Sequence, residues 1–407
     1  MRISTSMLNG NAVSAILEDQ SNLSNTQQQL SSGLSINSPS DNPVGAAQLL
    51  GLDNINSQNA QYTTNGQAVN TNLTLEQTAL SSSTSTLQSI RDLVLQANSG
   101  TNTPSDLQAI ATQIQSLEQQ LMSTANTKND AGEYLFSGYM QTTQPFGRGS
   151  SGSVSYAGDN GTSTIALDSG TSVQTGDPGS NIYMNIPAGN GTFTTAASSS
   201  NTGSGVIDTG SVTDASSWVP GQYTIKFTDA SDYAVLDSAG NPVTDGSGNP
   251  ITGTYNGTSA EVSFNGIQVG ISGAPAAGDT YTVTSASTQS IFTTLDNVVS
   301  ALNTAGSSSA AQAQLATALG GTVQQIDQGL NQVSTVATSV GTRINLISSV
   351  GSSLTADTTA VTTQISNLSN VDYVTATSQY SQEYIALQAA EQSYAQLGQL
   401  SLFKYLS

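Results

Sequence analysis

Both ends of this chain carry narrow apolar ridges spaced in threes, fours and sevens, and the middle of the chain does not. Val13, Ile16, Leu23, Leu30 and Leu34 form the first ridge. Leu73, Leu80, Leu87 and Val94 follow seven apart, with Ile90 between them, and Leu107, Ile110, Ile114, Leu117 and Leu121 alternate steps of three and four. On the return side Leu315, Leu319, Val323, Ile326, Leu330, Val333, Ala337, Val340, Ile344 and Ile347 make the longest seam. The last segment places Tyr373, Tyr380, Leu387 and Tyr394 seven apart, then Leu397, Leu400 and Phe403. Such spacing puts side chains on one line of an α-helix. A helix with so thin a stripe cannot bury it alone, and each Leu or Ile contributes roughly 1.5–3 kcal/mol only where another element covers it. The ridge at 10–36 and the ridge at 373–403 can cover each other only if the chain goes out and comes back.

Local signals divide the helices. Ser38-Pro39-Ser40-Asp41-Asn42-Pro43 interrupts the first arm, and a helix is predicted to stop just before Pro39, which has no amide to donate. Asn42 reads as the cap of the next helix, with Pro43 at its first position. Gly100 marks that helix's end. Thr103-Pro104-Ser105-Asp106 reads as a capping box opening the following one. Gly329 and Gly341 sit inside the return seam, each at a cost of about 1 kcal/mol relative to alanine.

The middle of the chain is rich in Gly, Asn and Thr and reads as antiparallel β. Val262-Ser263-Phe264-Asn265-Gly266-Ile267-Gln268-Val269 sets Asn-Gly between alternating apolar positions, the signal of a type I′ hairpin. Residues 223–227 and 281–283 alternate in the same way. Asp237 to Pro242 and Asp245 to Pro250 read as turns. Residues 145–160 and 189–205 are expected to be loops or poorly ordered. The fold class is therefore α+β: a long antiparallel helical coiled coil or bundle formed by both chain ends, with an inserted antiparallel β-rich domain. The expected segments are 1–42 (N-terminal terminal helix), 43–144 (bundle), 145–287 (β insert), 288–370 (bundle) and 371–407 (C-terminal terminal helix).

Composition removes whole classes of chemistry. There is no cysteine and no histidine among 407 residues, so no thiolate or imidazole metal site, no disulfide, and no triad that needs a histidine can form within one chain. Seven basic residues are scattered against 27 acidic ones, for a net charge of -20. They make no patch for nucleic acid and none for an anionic membrane surface. No apolar run is long enough for a membrane span, and residues 1–10 lack the apolar core of a cleaved signal peptide. Gly147-Arg148-Gly149-Ser150-Ser151-Gly152 matches a dinucleotide fingerprint by letter, without the strand before it or the helix after it. Asp229, Asp232, Asp237 and Asp245 lack the spacing of a calcium loop and suit turn chemistry. Trp218 reads as a core residue of the insert. The expectation is no catalytic residues, no metal and no cofactor.

At both ends the residues also spell a family. Met1-Arg2-Ile3-Ser4-Thr5-Ser6-Met7, the stretch Gln29 to Pro43, Gly132-Glu133-Tyr134-Leu135-Phe136-Ser137-Gly138, Val340-Gly341-Thr342-Arg343-Ile344-Asn345, Leu387 to Tyr394 and Leu400 to Leu406 occur in one order. Together they resemble the hook-associated protein 3 family, the hook–filament junction branch of the flagellin superfamily. Phe264 to Ile267 and Gly278 to Tyr281 are similar to its phrases as well. Pro39 and Pro43 stand where flagellins usually read AKDDAAG, and Asn42 stands where an aspartate is usual.

The resemblance implies a structural subunit of the bacterial flagellum. It would be exported unfolded by the flagellar type III apparatus without a cleaved signal, held by a dedicated export chaperone, and placed outside the cell between hook and filament. Its partners would be copies of itself, a neighbouring hook-associated protein and flagellin. The expected subunit interface is Val13, Ile16, Leu23, Leu30, Leu34, Tyr373, Tyr380, Leu387, Tyr394, Leu397, Leu400 and Phe403. These ridges are expected to stay partly uncovered in the monomer, and Asp at Leu23 and Leu30 to abolish assembly with the inner helices intact. Flagellin itself, a secreted adhesin or glycan-binding module, and a surface hydrolase are the rival readings.

Overall fold

The computed structural model describes residues 5–149 and 152–400. Among the described residues six α-helices flank a β-rich insert in chain order: α1 (Thr5–Ser32), α2 (Pro43–Ala97), α3 (Pro104–Ala125), α4 (Ile291–Asn303), α5 (Ser309–Ser369) and α6 (Tyr373–Leu400). Two compact units form. One takes residues 1–65 and 349–407, the other Gly66–Ser348. The division falls inside α2 and α5, not at 42 and 370 where the sequence breaks its helices.

In the larger unit the heptads of the sequence become buried lines. Gly66, Leu73, Leu80, Leu87 and Val94 form one line of α2, and Val69, Glu76, Ser83, Ile90 and Ala97 form the second. On α5 Leu319, Ile326, Val333, Val340 and Ile347 form a buried line, again seven apart. α2 and α5 run antiparallel: Arg91 pairs with Asp327 at 2.7 Å, and a side chain at Gly66 would lie 3.6 Å from Ile347. The intervening positions Leu315, Val323, Leu330, Ala337 and Ile344 are only half-buried, because a helix facing one partner along a narrow seam leaves its flanking positions at the rim. Gly329 is buried against α4; a Cβ there would come within 3.0 Å of Ile291, so close approach offsets its propensity cost.

Three sequence expectations are corrected. α1 ends at Ser32, six residues before the predicted stop, because Gly33 takes φ +75° and turns the chain first. Residues 145–160 are not a loop: Phe146–Arg148 pairs with Val154–Tyr156, and Phe146 is fully buried. Residues 189–205 are not all loop: Phe193–Ala197 is an edge strand of the main sheet, with Phe193 fully buried.

The insert is a β-sandwich. A five-stranded antiparallel sheet runs in the order 252–254, 232–236, 222–227, 280–285, 193–197, and a second sheet holds 259–264, 267–272 and 206–207, with 211–212 also on the 267–272 strand. Between them lies an apolar core that includes Phe193, Ile225, Phe227, Val262, Phe264, Val269, Tyr281 and Val283. Trp218 packs on its edge, 5.7 Å from the Phe193 ring and 6.0 Å from Tyr223. The predicted hairpin is present: Phe264 faces Ile267, and Asn265 and Gly266 take φ 46° and 74°, the left-handed pair a type I′ turn needs.

Candidate assembly surface

Within the terminal unit, α1 and α6 lie side by side and antiparallel. Their junction is fixed by main-chain bonds: the Val371 amide donates to Gly33 O at 3.0 Å, and the Ser35 amide to Ser369 O at 2.6 Å. The Ser35 hydroxyl adds bonds to Leu368 O and Ser369 O. Asp372 caps α6, accepting from the Val374 amide at 3.0 Å and the Thr375 hydroxyl at 2.8 Å. Those donors stabilise its charged form and hold its carboxyl below the ordinary range. Asn42 caps α2 by accepting from the Gly45 amide at 2.9 Å.

The twelve interface residues expected from sequence separate into three groups. Ile16, Leu23, Leu30, Tyr380 and Leu387 are half-buried, at heptad positions of the two adjoining helices, beside the buried Thr26 and Ala376. Val13, Leu34, Tyr373 and Tyr394 remain exposed, Tyr373 at 56%, with its hydroxyl standing over Gly33. The side chains of Leu397 and Leu400, and all of Phe403, lie outside the described residues.

The most exposed apolar side chains of the α1–α6 pair are ones the heptad reading did not select. Val374 is 81% exposed, Ile385 64% and Leu17 60%. On α6, Val374 and Ile385 are eleven residues apart, as are Tyr373 and Tyr384; three turns of helix bring each pair back to nearly the same azimuth. Val374 and Ile385 make an apolar row on the side of α6 away from the α1 seam, while Tyr373 and Tyr384 flank the seam. An eleven-residue spacing counted beside the seven would have found them. α2 adds exposed Val44, Leu50 and Ile55.

Other ionisable clusters tie elements together. Glu76 of α2 is buried and accepts from the Asp177 amide at 3.2 Å, while Asp177 pairs with Arg343 of α5. Burial first, and then the neighbouring Asp177 charge, push the Glu76 carboxyl well up. Glu118 of α3 is buried and pairs with Arg148, which also reaches Asp296 of α4 at 3.0 Å. Burial, reinforced by Asp296 and opposed by Arg148, raises Glu118 to about 7. Gly147 and Arg148 of the Gly147–Gly152 motif lie on a strand paired with Val154–Tyr156, with Arg148 occupied by these carboxylates. Asp237 and Asp245 accept bonds from amides two and four residues on, as turn residues do. Among the described residues no group of three metal-ligating side chains converges, and no helix is long and apolar enough to cross a membrane.

Comparison with known proteins gives this surface a context. The bacterial flagellin N-terminal helical region matches residues 3–141, the flagellin C-terminal helical region matches 323–406, and the D2-like domain of flagellar hook-associated protein 1 matches 196–285. Flagellar hook-associated protein 3 of Escherichia coli is 25% identical over 99% of each chain. The crystal structure of FlgL from Xanthomonas campestris is 30% identical, with TM-score 0.70 over 77% of this chain and 97% of that one. The flagellar junction protein FlgL from Legionella pneumophila is 32% identical, with TM-score 0.67 over 71% and 95%. The pairing of α1 with α6, the inserted β-sandwich, the order of the matched regions and these relatives lead to one conclusion: the chain belongs to the FlgL family of flagellar hook-associated proteins, within the flagellin superfamily.

Proposed function

We propose that this protein is a non-enzymatic structural subunit of the bacterial flagellum that joins hook to filament by polymerising through its terminal helices. The observation that carries this reading is the unburied apolar surface of the α1–α6 pair. Leu17, Val374 and Ile385 face solvent on helices whose inner seam residues are already half-buried against each other. Apolar rows of this kind gain free energy only when a further chain covers them. A head-to-tail contact between copies covers one subunit's rows and leaves the next subunit's rows open, so the assembly propagates, which a closed dimer cannot do. Val13, Leu34, Tyr373 and Tyr394 belong to that contact by exposure. Ile16, Leu23, Leu30, Tyr380 and Leu387 act earlier, by holding α1 to α6.

The further assignments rest on the family. We place a neighbouring hook-associated protein on one side and flagellin on the other, with a dedicated chaperone covering the terminal helices before export through the flagellar type III apparatus. The working location is outside the cell at the hook–filament junction.

The test replaces Leu17 and Ile385 by Asp together. Helical content by circular dichroism should match the parent, and the variant should not restore motility to a strain lacking the protein. That strain should build hooks and release filament protein into the medium. Restored motility with normal filaments would refute the contact.

A further inference from the structure

The β-sandwich joins the helices through a very small neck. The chain enters along Ile186–Pro187 and leaves along Thr288–Gln289, and these two short segments pair only with each other. Ala188 N to Ser287 O (2.8 Å) and Ala286 N to Thr192 O (2.8 Å) continue the pairing toward the sandwich. Two strands of two residues cannot by themselves fix the attitude of a domain of some ninety residues (196–285 in the matched region). Short connections that absorb small backbone changes are where hinges form.

A second feature lies beside the neck. α5 presents Gln314, Gln325 and Gln332 at separations of eleven and seven, which returns all three to one helix face, roughly 100° from its buried Leu319–Ile326–Val333 line. Every one of these amides donates to a main-chain carbonyl of the segment 181–201. Gln332 Nε2 reaches Asn181 O at 2.6 Å, Gln325 Nε2 reaches Pro187 O at 3.1 Å, and Gln314 Nε2 reaches Ser199 O at 3.2 Å and Asn201 O at 3.3 Å. Gln325 also accepts from the Gly189 amide at 2.9 Å and is buried. It therefore holds the entering strand at two points, on either side of Ala188. Gln314 grips the sandwich three turns away, about 16 Å along the helix. Between these grips the sandwich edge stands off α4 and α5 across an open groove lined by Thr194, Asn297, Val298, Ala318 and Gly321.

We infer that the neck at 186–187 and 288–289 is a hinge, that Gln325 is its fixed pivot, and that Gln314 is the distal catch holding the sandwich against α5. The catch is made of neutral amide–carbonyl bonds, so it is insensitive to pH and only weakly sensitive to salt. One bifurcated amide at the far end of the lever is a grip that can open while pivot and neck stay intact. The single methyl of Ala318 and the bare backbone of Gly321 leave the clearance into which the sandwich edge swings.

The chain has no cysteine, so spin labels can be placed at will. Cysteines at Ser247 in the sandwich and Gln119 on α3, both exposed, report their separation by pulsed electron resonance on the full chain. The parent should give one narrow distance distribution. Gln314→Ala should broaden it or add a second population, with helical content unchanged. Gln312→Ala, two residues away on another face, should leave it narrow. A Gln314→Ala distribution as narrow as the parent's overturns the catch, and a parent distribution already broad overturns it equally. Neither outcome bears on the assembly surface, which the Leu17 and Ile385 variant tests separately.

Discussion

Glu118 sits on the apolar face of α3 between Ile114 and Leu121, a position where a leucine would pack. It is tolerated because Arg148, thirty residues on, folds back over it. Its carboxyl titrates near 7 in the fold, above the 4.5 of an unburied glutamate. The folded state therefore binds a proton that the unfolded state has already released in that interval. The stability from this group is complete below about 4.5 and is lost as pH rises through 7, a loss on the order of 2–3 kcal/mol at most. Glu76 is displaced in the same direction by its burial and by Asp177. We expect the melting temperature of the parent to climb as pH is lowered from 8 to 5, and Glu118→Gln to climb less. A variant with the parent's full pH slope would remove Glu118 from the account. The sequence did not disclose this residue: the three-and-four rhythm points to Leu117, which is only half-buried. Nothing local in α3 says that a guanidinium from a later hairpin will arrive to pair the charge.

At the level of single elements, helix starts were legible and one stop was not. The Thr103 capping box forms as spelled, with the Asp106 carboxylate accepting from the Thr103 amide at 2.9 Å. Asn42 caps α2 because a short polar side chain before proline has only its own helix's free amides to meet. The end of α1 escaped because Pro39 is the louder signal, yet Gly33 reaches a left-handed conformation first, its carbonyl accepting from the Val371 amide while Leu34 bridges to Asn370. Gly33→Ala should thus cost the terminal pair about 1 kcal/mol from backbone strain alone, and more where its Cβ meets the Tyr373 hydroxyl. Hydrogen exchange should accelerate in residues 5–32 and 373–396 and stay unchanged in α3 and α4; unchanged exchange at the termini would count against the strain. The strand 193–197 was missed for a different reason. Its Thr- and Ala-rich sequence carries little alternation, and its pairing partner, 280–285, lies more than eighty residues away.

For the whole molecule, the heptads gave the architecture and the family motifs gave the family, while the outward-facing row at Val374–Ile385 needed the structure. The reason is that the seven-residue rhythm describes the contact a helix makes inside its own chain. The surface left for other chains obeys no such rhythm. The neck also makes a prediction here. Because Ala286 N already bonds Thr192 O, removing residues 193–285 and bridging 192 to 286 with two or three glycines should leave the helical base folded. Helical signal per molecule should be kept, and assembly into the flagellum should survive; loss of both would show the sandwich to be part of the core.

One further property follows from the seven-residue lines of α2 and α5. A straight helix turns past a strict heptad line by about 20° each repeat, so over the four repeats from Leu319 to Ile347 the mating line winds about 80° in the left-handed sense. Two rods meshed on such a spiral respond differently to the two directions of torque. Twisting that tightens the spiral presses the meshed side chains together, and twisting the other way prises them apart. A part with this gearing, set in a rotary shaft, is stiffer when driven one way than when driven in reverse.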